Sequence, residues 1–148
     1  MTGIIVCDER TATPADRRFS LPAGHEIVLL DASSPACLAP IALMAAGIAG
    51  VLPQLLTAYR TGTGVPYADY GADFRDGQAG FNRPAFMNLL SSEWLASGLP
   101  EVHQRLQSGE HLRIADVACG AGWSSIAFAT AYPGARIDGY DIDDERLA

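Results

Sequence analysis

The sequence predicts an α/β fold: a helical N-terminal region followed by the start of a doubly wound parallel sheet, incomplete, with two strands present. Three observations carry that expectation. "LRIADVA" (Leu112–Ala118) and "ARIDGYD" (Ala135–Asp141) are short strand-like runs, and the first is too densely apolar for a half-solvated edge. Between them "GWSSIAFATAY" (Gly122–Tyr132) reads as a helix closed by Pro133-Gly134, so the three make a βαβ unit of about 30 residues. Upstream, from Ser34 to Gly109, the apolar segments read as helices punctuated by Pro and Gly.

In chain order, "GIIVC" (Gly3–Cys7) reads as a short strand and "RRFSL" (Arg17–Leu21) as its hairpin partner, with Asp8, Thr13 and Pro14 in the polar connection. Pro22 stands at a first helical position for "PAGHEIVLLD". Ser34-Pro35 is a helix-start signal for the apolar region that follows, and Gly62 is a stop after "LPQLLTAYR". Residues 63–83 change character, rich in Gly and with Tyr67, Tyr70, Phe74 and Phe81 among polar groups. After Pro84, "AFMNLLSSEWLASG" reads as an amphipathic helix stopped by Gly98, and "PEVHQRLQSG" as another, from Pro100 to Gly109. At the far end Asp143 would cap a helix, "DERLA".

Composition narrows the function classes. At 148 residues the chain is one domain's worth of length, and 49% hydrophobic with 18% charged residues excludes disorder. The net charge is −7 with no basic run, so no nucleic-acid partner is expected. All ten basic residues are Arg, which removes the P-loop and any Schiff-base or lysine-base chemistry. Cys7, Cys37 and Cys119 are widely spaced, form no C-x-x-C, and follow no signal peptide; a reducing, cytoplasmic setting fits, and no metal site is expected. "ACLAPIALMAAGIAGVLPQLL" (Ala36–Leu56) is long enough to imitate a membrane span. Pro40 and Pro53 interrupt it and Ala and Gly fill much of the rest, so it reads as two buried helices with no membrane role.

The chemistry concentrates in "IADVACGAGWSS". Gly120-Ala-Gly122 with Ser125 is a G-x-G-x-x-G-like turn lacking its last glycine. It follows a strand, opens a helix, and precedes Asp141 by 19 positions from Gly122. An acid ending the second strand can accept hydrogen bonds from both hydroxyls of a ribose, so the ligand contains a nucleoside. Pyrophosphate fits less well: Ser125 takes the glycine position, Trp123 crowds the helix start, and the Asp116 carboxylate would repel an anion while suiting a cation.

"DVACGAG" with "GYDID" resembles the first motifs of class I S-adenosyl-L-methionine-dependent methyltransferases, a Rossmann-like family. The resemblance implies that Asp116, Gly120 and Gly122 form the loop against the methionine part of the cofactor, and that Asp141 holds the ribose. Trp123, Ser124 and Ile142 would line its edges. Ala118 stands where the family has its first glycine. Upstream, "YADYGADFRDGQAGFNRPAF", "EWL" and "VHQRL" resemble the helical lead-in of a bacterial subgroup with an N-terminal winged-helix domain. "RRFSLPAGHEIVLLDASSPACLAPIA" resembles the wing strand and exit helix of that domain. The implied division is a winged-helix remnant at 1–34, a helical linker or cap at 35–110, and the N-terminal part of the methyltransferase domain at 111–148.

On that resemblance Tyr67, Tyr70, Gln78 and Asn82 are candidate substrate-pocket residues, against the alternative that such side chains pack a helical cap. His103 and His111 read as surface groups. The implied reaction is methyl transfer to a small-molecule O or N acceptor, with no catalytic residue assigned. The family fold needs about seven strands and 32 residues follow Asp116, so both ends look cut. The expectation is a fragment inactive by itself and marginally stable, with open sheet edges. Three other readings stay open. One is an NAD(P)-binding Rossmann protein. Another is a remnant acting as an interaction module, with a homodimer formed through the apolar 36–58 region. The last is a winged-helix regulator, which three Arg against five acids in residues 1–31 make least fitting.

Overall fold

The computed structural model describes residues 3–7 and 13–143, so the expected helix over "DERLA" and the position of Asp8 lie outside the described residues. It is a mixed helix-and-strand structure with two small sheets. The N-terminal hairpin forms as expected but is shorter. β1 (Val6–Cys7) pairs antiparallel with β2 (Phe19–Ser20), and a 3-10 turn, Pro14–Asp16, lies between them.

The helix expected from Pro22 begins later, as α1 (His25–Leu29), because the Pro22 carbonyl is used to accept the His25 N–H in a turn. Ser34-Pro35 likewise does not start a helix. The Ser34 hydroxyl accepts the Ala36 N–H and its carbonyl the Cys37 N–H, closing local turns. The helix starts instead at Pro40, which with Pro53 occupies a first-turn position where its missing N–H costs nothing. α2 (Pro40–Gly50) and α3 (Leu52–Thr61) follow, and α3 stops at Gly62 as expected, with φ 74°. They are not the buried helices anticipated. Val51 and Gly47 are buried, but Ile41, Leu43, Ile48, Leu52 and Leu56 are 40–50% exposed. No described helix is long and apolar enough to cross a membrane; α2 and α3 reach that length only together, bent by 61°.

The largest departure lies in residues 63–83. After a 3-10 turn (Tyr67–Tyr70), α4 runs from Gly71 to Leu89 with Pro84 inside it, so the helix begins 14 residues before Ala85, the position read from the sequence. α4 continues through a π-helical stretch, Leu90–Leu95, into the short α5 (Ala96–Gly98), and α6 (Pro100–Gln107) follows. Packing against α2 explains why a segment with Gly71, Gly77, Gly80 and Pro84 is helical. A Cβ on Gly77 would stand 2.6 Å from the Met44 N and 2.7 Å from the Pro40 O, and one on Gly47 2.5 Å from the Phe74 Cβ. The two backbones approach this closely because both helices carry glycine at the crossing.

The βαβ unit forms as the sequence predicts. β3 (Arg113–Val117) and β4 (Arg136–Tyr140) pair parallel, in register from Arg113 opposite Arg136 to Val117 opposite Tyr140, and α7 (Trp123–Ala131) makes the crossover. α7 packs against both β4 and α4, so the long helix lies over the C-terminal ends of the strands. Among the described residues the buried apolar set is small: Cys37, Val51, Leu106, Ala127 and Tyr132. Val117 and Tyr140 remain 76% and 54% exposed on one sheet face.

Candidate functional site

The turn after β3 is built from three left-handed residues. Ala118 (φ 63°), Gly120 (φ 53°) and Gly122 (φ 75°) reverse the chain between strand and helix. For the two glycines this conformation is free; for Ala118 the Cβ crowds its own backbone. The N–H groups of Ala118 and Cys119 both donate to the Tyr140 carbonyl, at 2.7 and 3.1 Å, which ties the turn to the end of β4.

Two carboxylates flank this turn, Asp116 within β3 and Asp141 directly after β4. Asp141 accepts the Gly120 N–H on Oδ2 at 2.6 Å and the Asp143 N–H on Oδ1 at 2.9 Å. The N–H groups of Asp143 and Gly120 hold its carboxyl below the usual carboxylate range, against the opposing effect of burial. Two N–H donors use half of the roughly four lone-pair positions of a carboxylate, so acceptor capacity remains for a ligand. Asp116, on β3, accepts the hydroxyls of Ser124 and Ser125 on Oδ2, both at 2.6 Å. Its negative charge therefore sits at the first turn of α7, the place where a helix dipole would otherwise favour a bound anion. Burial, then the charges of Asp116 and Asp141, pushes the Cys119 thiol above its ordinary value.

The cavity between this turn and α4 has a volume of about 560 Å³, within the range of small-molecule sites. Of the residues singled out from the sequence for a cofactor, Asp116, Ala118, Gly120, Trp123, Ser124, Asp141 and Ile142 all line it. Gly122 does not; it is the N-cap of α7 and shapes the turn from behind. Of the four substrate-pocket candidates, Tyr67, Gln78 and Asn82 line the cavity, the first two joined by a 2.8 Å bond from the Tyr67 hydroxyl to Gln78 Oε1. Tyr70 does not line it; its ring packs on Phe74 at 4.9 Å. Trp123, expected to crowd the start of α7, is covered by the Arg83 guanidinium at 4.5 Å from the ring centroid.

Sequence reasoning missed Arg75, Phe86 and Leu90, which line the cavity from above. With Gln78, Ala79 and Asn82 they recur at spacings of three, four and seven, a helical period that was legible once residues 71–90 were treated as one helix. His103 also differs from its expected surface role. It is half-buried, and its Nδ1 lies 2.7 Å from the hydroxyl of the buried Tyr132. His111 is exposed, as expected, near the Gly134 carbonyl. No family model matches this chain, and no curated protein is similar to it.

Proposed function

We infer that this chain carries the cofactor-binding part of an S-adenosyl-L-methionine-dependent methyltransferase, built on a Rossmann-like α/β unit and acting on a small-molecule O or N acceptor. The observation that carries the reading is the pair of carboxylates, Asp116 and Asp141. Asp116 near the end of β3 and Asp141 directly after β4 lie on either side of a glycine turn and line one cavity. Asp141 retains acceptor positions suited to a ribose diol. Asp116 puts negative charge where a pyrophosphate would need positive, which favours a sulfonium cofactor over a dinucleotide. When bound, the cofactor would supply an electrophilic sulfonium methyl group for in-line transfer to the acceptor, the neutral thioether being the leaving group. The chain's own part is to align the two and exclude water, with Tyr67, Gln78, Asn82 and Phe86 of the helical cap forming the roof. The reading assigns no general base.

Titrating the chain with S-adenosylhomocysteine and, separately, with NAD and NADP tests it. The expected result is saturable binding of S-adenosylhomocysteine alone, weakened at least tenfold by Asp141→Ala. Losing one charge-assisted hydrogen bond costs about 1.5–3 kcal/mol, and tenfold is about 1.4 kcal/mol. No saturation, or tighter binding of a dinucleotide, would overturn the reading. The exposed apolar side chains of the 36–58 region, Ile41, Leu43, Ile48, Leu52 and Leu56, support self-association as a homodimer. Sedimentation of wild type against Leu43→Glu tests this; a monomer at all concentrations would refute it.

A further inference from the structure

Two arginines of α4 reach the βαβ unit at separate places, and one of them, Arg75, lines the cavity. Arg83 covers Trp123, at the start of α7. Arg75 lines the cavity with its side chain 11% exposed, and its Nε lies 3.7 Å from Oδ2 of Asp143, a side chain 9% exposed. That carboxylate oxygen is buried and accepts no hydrogen bond from the described residues. The Asp143 N–H in turn is held by Asp141 Oδ1, and Asp141 Oδ2 holds the Gly120 N–H. The glycine turn, the end of β4 and the cap helix are thus joined through Gly120, Asp141, Asp143 and Arg75. A buried carboxylate oxygen without a hydrogen-bond donor is costly unless a cation stays beside it, so Asp143 draws Arg75, and with it α4, toward the turn.

We propose that Arg75 and Asp143 form a latch that holds α4 closed over the cavity, making both positioning residues that set how readily solvent and ligand reach the glycine turn. The latch rests on the reading of this cavity as a ligand site, but not on which ligand occupies it.

Cys119 lies in the turn and lines the cavity, so its alkylation rate reports closure, while Cys37, buried away from it, reports global unfolding. The experiment is iodoacetamide labelling of the full chain, read per cysteine by mass spectrometry, for wild type, Arg75→Met and Asp143→Asn. The expected result is Cys119 labelling at least threefold faster in both variants with Cys37 unchanged. The two substitutions remove charges of opposite sign, so an acceleration common to both reports access rather than a shifted thiol. A smaller change at Cys119 in either folded variant, or Cys37 accelerating in step in Asp143→Asn, overturns the latch. Should Arg75→Met unfold, the isosteric Asp143→Asn decides alone. Failure of the wild-type chain to bind S-adenosylhomocysteine would sink the functional reading, while the latch would still stand or fall by the labelling.

Discussion

Gly77→Ala in the middle of α4 should destabilise the chain, although alanine is the better helix former. In an open helix the substitution would gain about 1 kcal/mol. Here the new Cβ would meet the Met44 N at 2.6 Å, the Met44 Cγ at 2.7 Å and the Pro40 O at 2.7 Å, where ordinary contact begins at 3.4 Å. Two of those three atoms are backbone of α2, which cannot rotate aside. The helices must therefore separate by most of an ångström where α2 and α4 cross, and overpacking of this kind costs about 1–3 kcal/mol. Taking the upper part of that range because the obstacle is backbone, the net loss is about 1–2 kcal/mol. The internal control is Gly50→Ala, on α2 itself, where nothing lies within 4 Å and a gain of about 0.5 kcal/mol is expected. Urea denaturation followed by circular dichroism measures both, with the slope checked for constancy. A Gly77→Ala chain as stable as wild type, or more so, would refute the claim that this glycine exists for close helix approach.

Three other outcomes follow from the site and its surroundings. Ala118→Gly should stabilise the chain by about 0.5–1 kcal/mol in the same denaturation assay: relief of a left-handed alanine is worth about 1–2 kcal/mol, and the extra freedom of an unfolded glycine takes back about 0.4–1. Asp141 has a depressed folded-state value, so its contribution to stability is present above the ordinary aspartate value of about 3.9 and is lost as pH falls below it; Asp141→Asn should flatten that acid limb of the stability profile, and an unchanged limb would show its N–H bonds to be inconsequential. Tyr132→Phe removes the partner of His103 Nδ1 and should cost about 1 kcal/mol, measured as a lowered urea midpoint.

The features fixed by short-range pattern were legible from the sequence. The βαβ unit, its parallel pairing, the stops at Gly62 and Gly109 and the acid ending β4 all depend on periods, caps and spacings within about 30 residues. The cavity side of the turn was legible for the same reason: a strand that ends in a glycine turn and opens a helix places Asp116, Gly120, Ser124 and Asp141 near one another whatever lies above. What lies above was not. Local propensity reads Gly71, Gly77, Gly80 and Pro84 as breaks, and only the contact with α2 outweighs that tendency, since the glycines that weaken α4 alone allow the two backbones to touch. The same packing brings Arg75, Phe86 and Leu90 over the turn and pairs Arg75 with Asp143, 68 positions away in the chain. Thus the sequence by itself determined the floor of the site, because that floor is a local turn between neighbouring strands. Only the tertiary structure decided its roof, because a helix rich in glycine exists where a second helix is there to meet it.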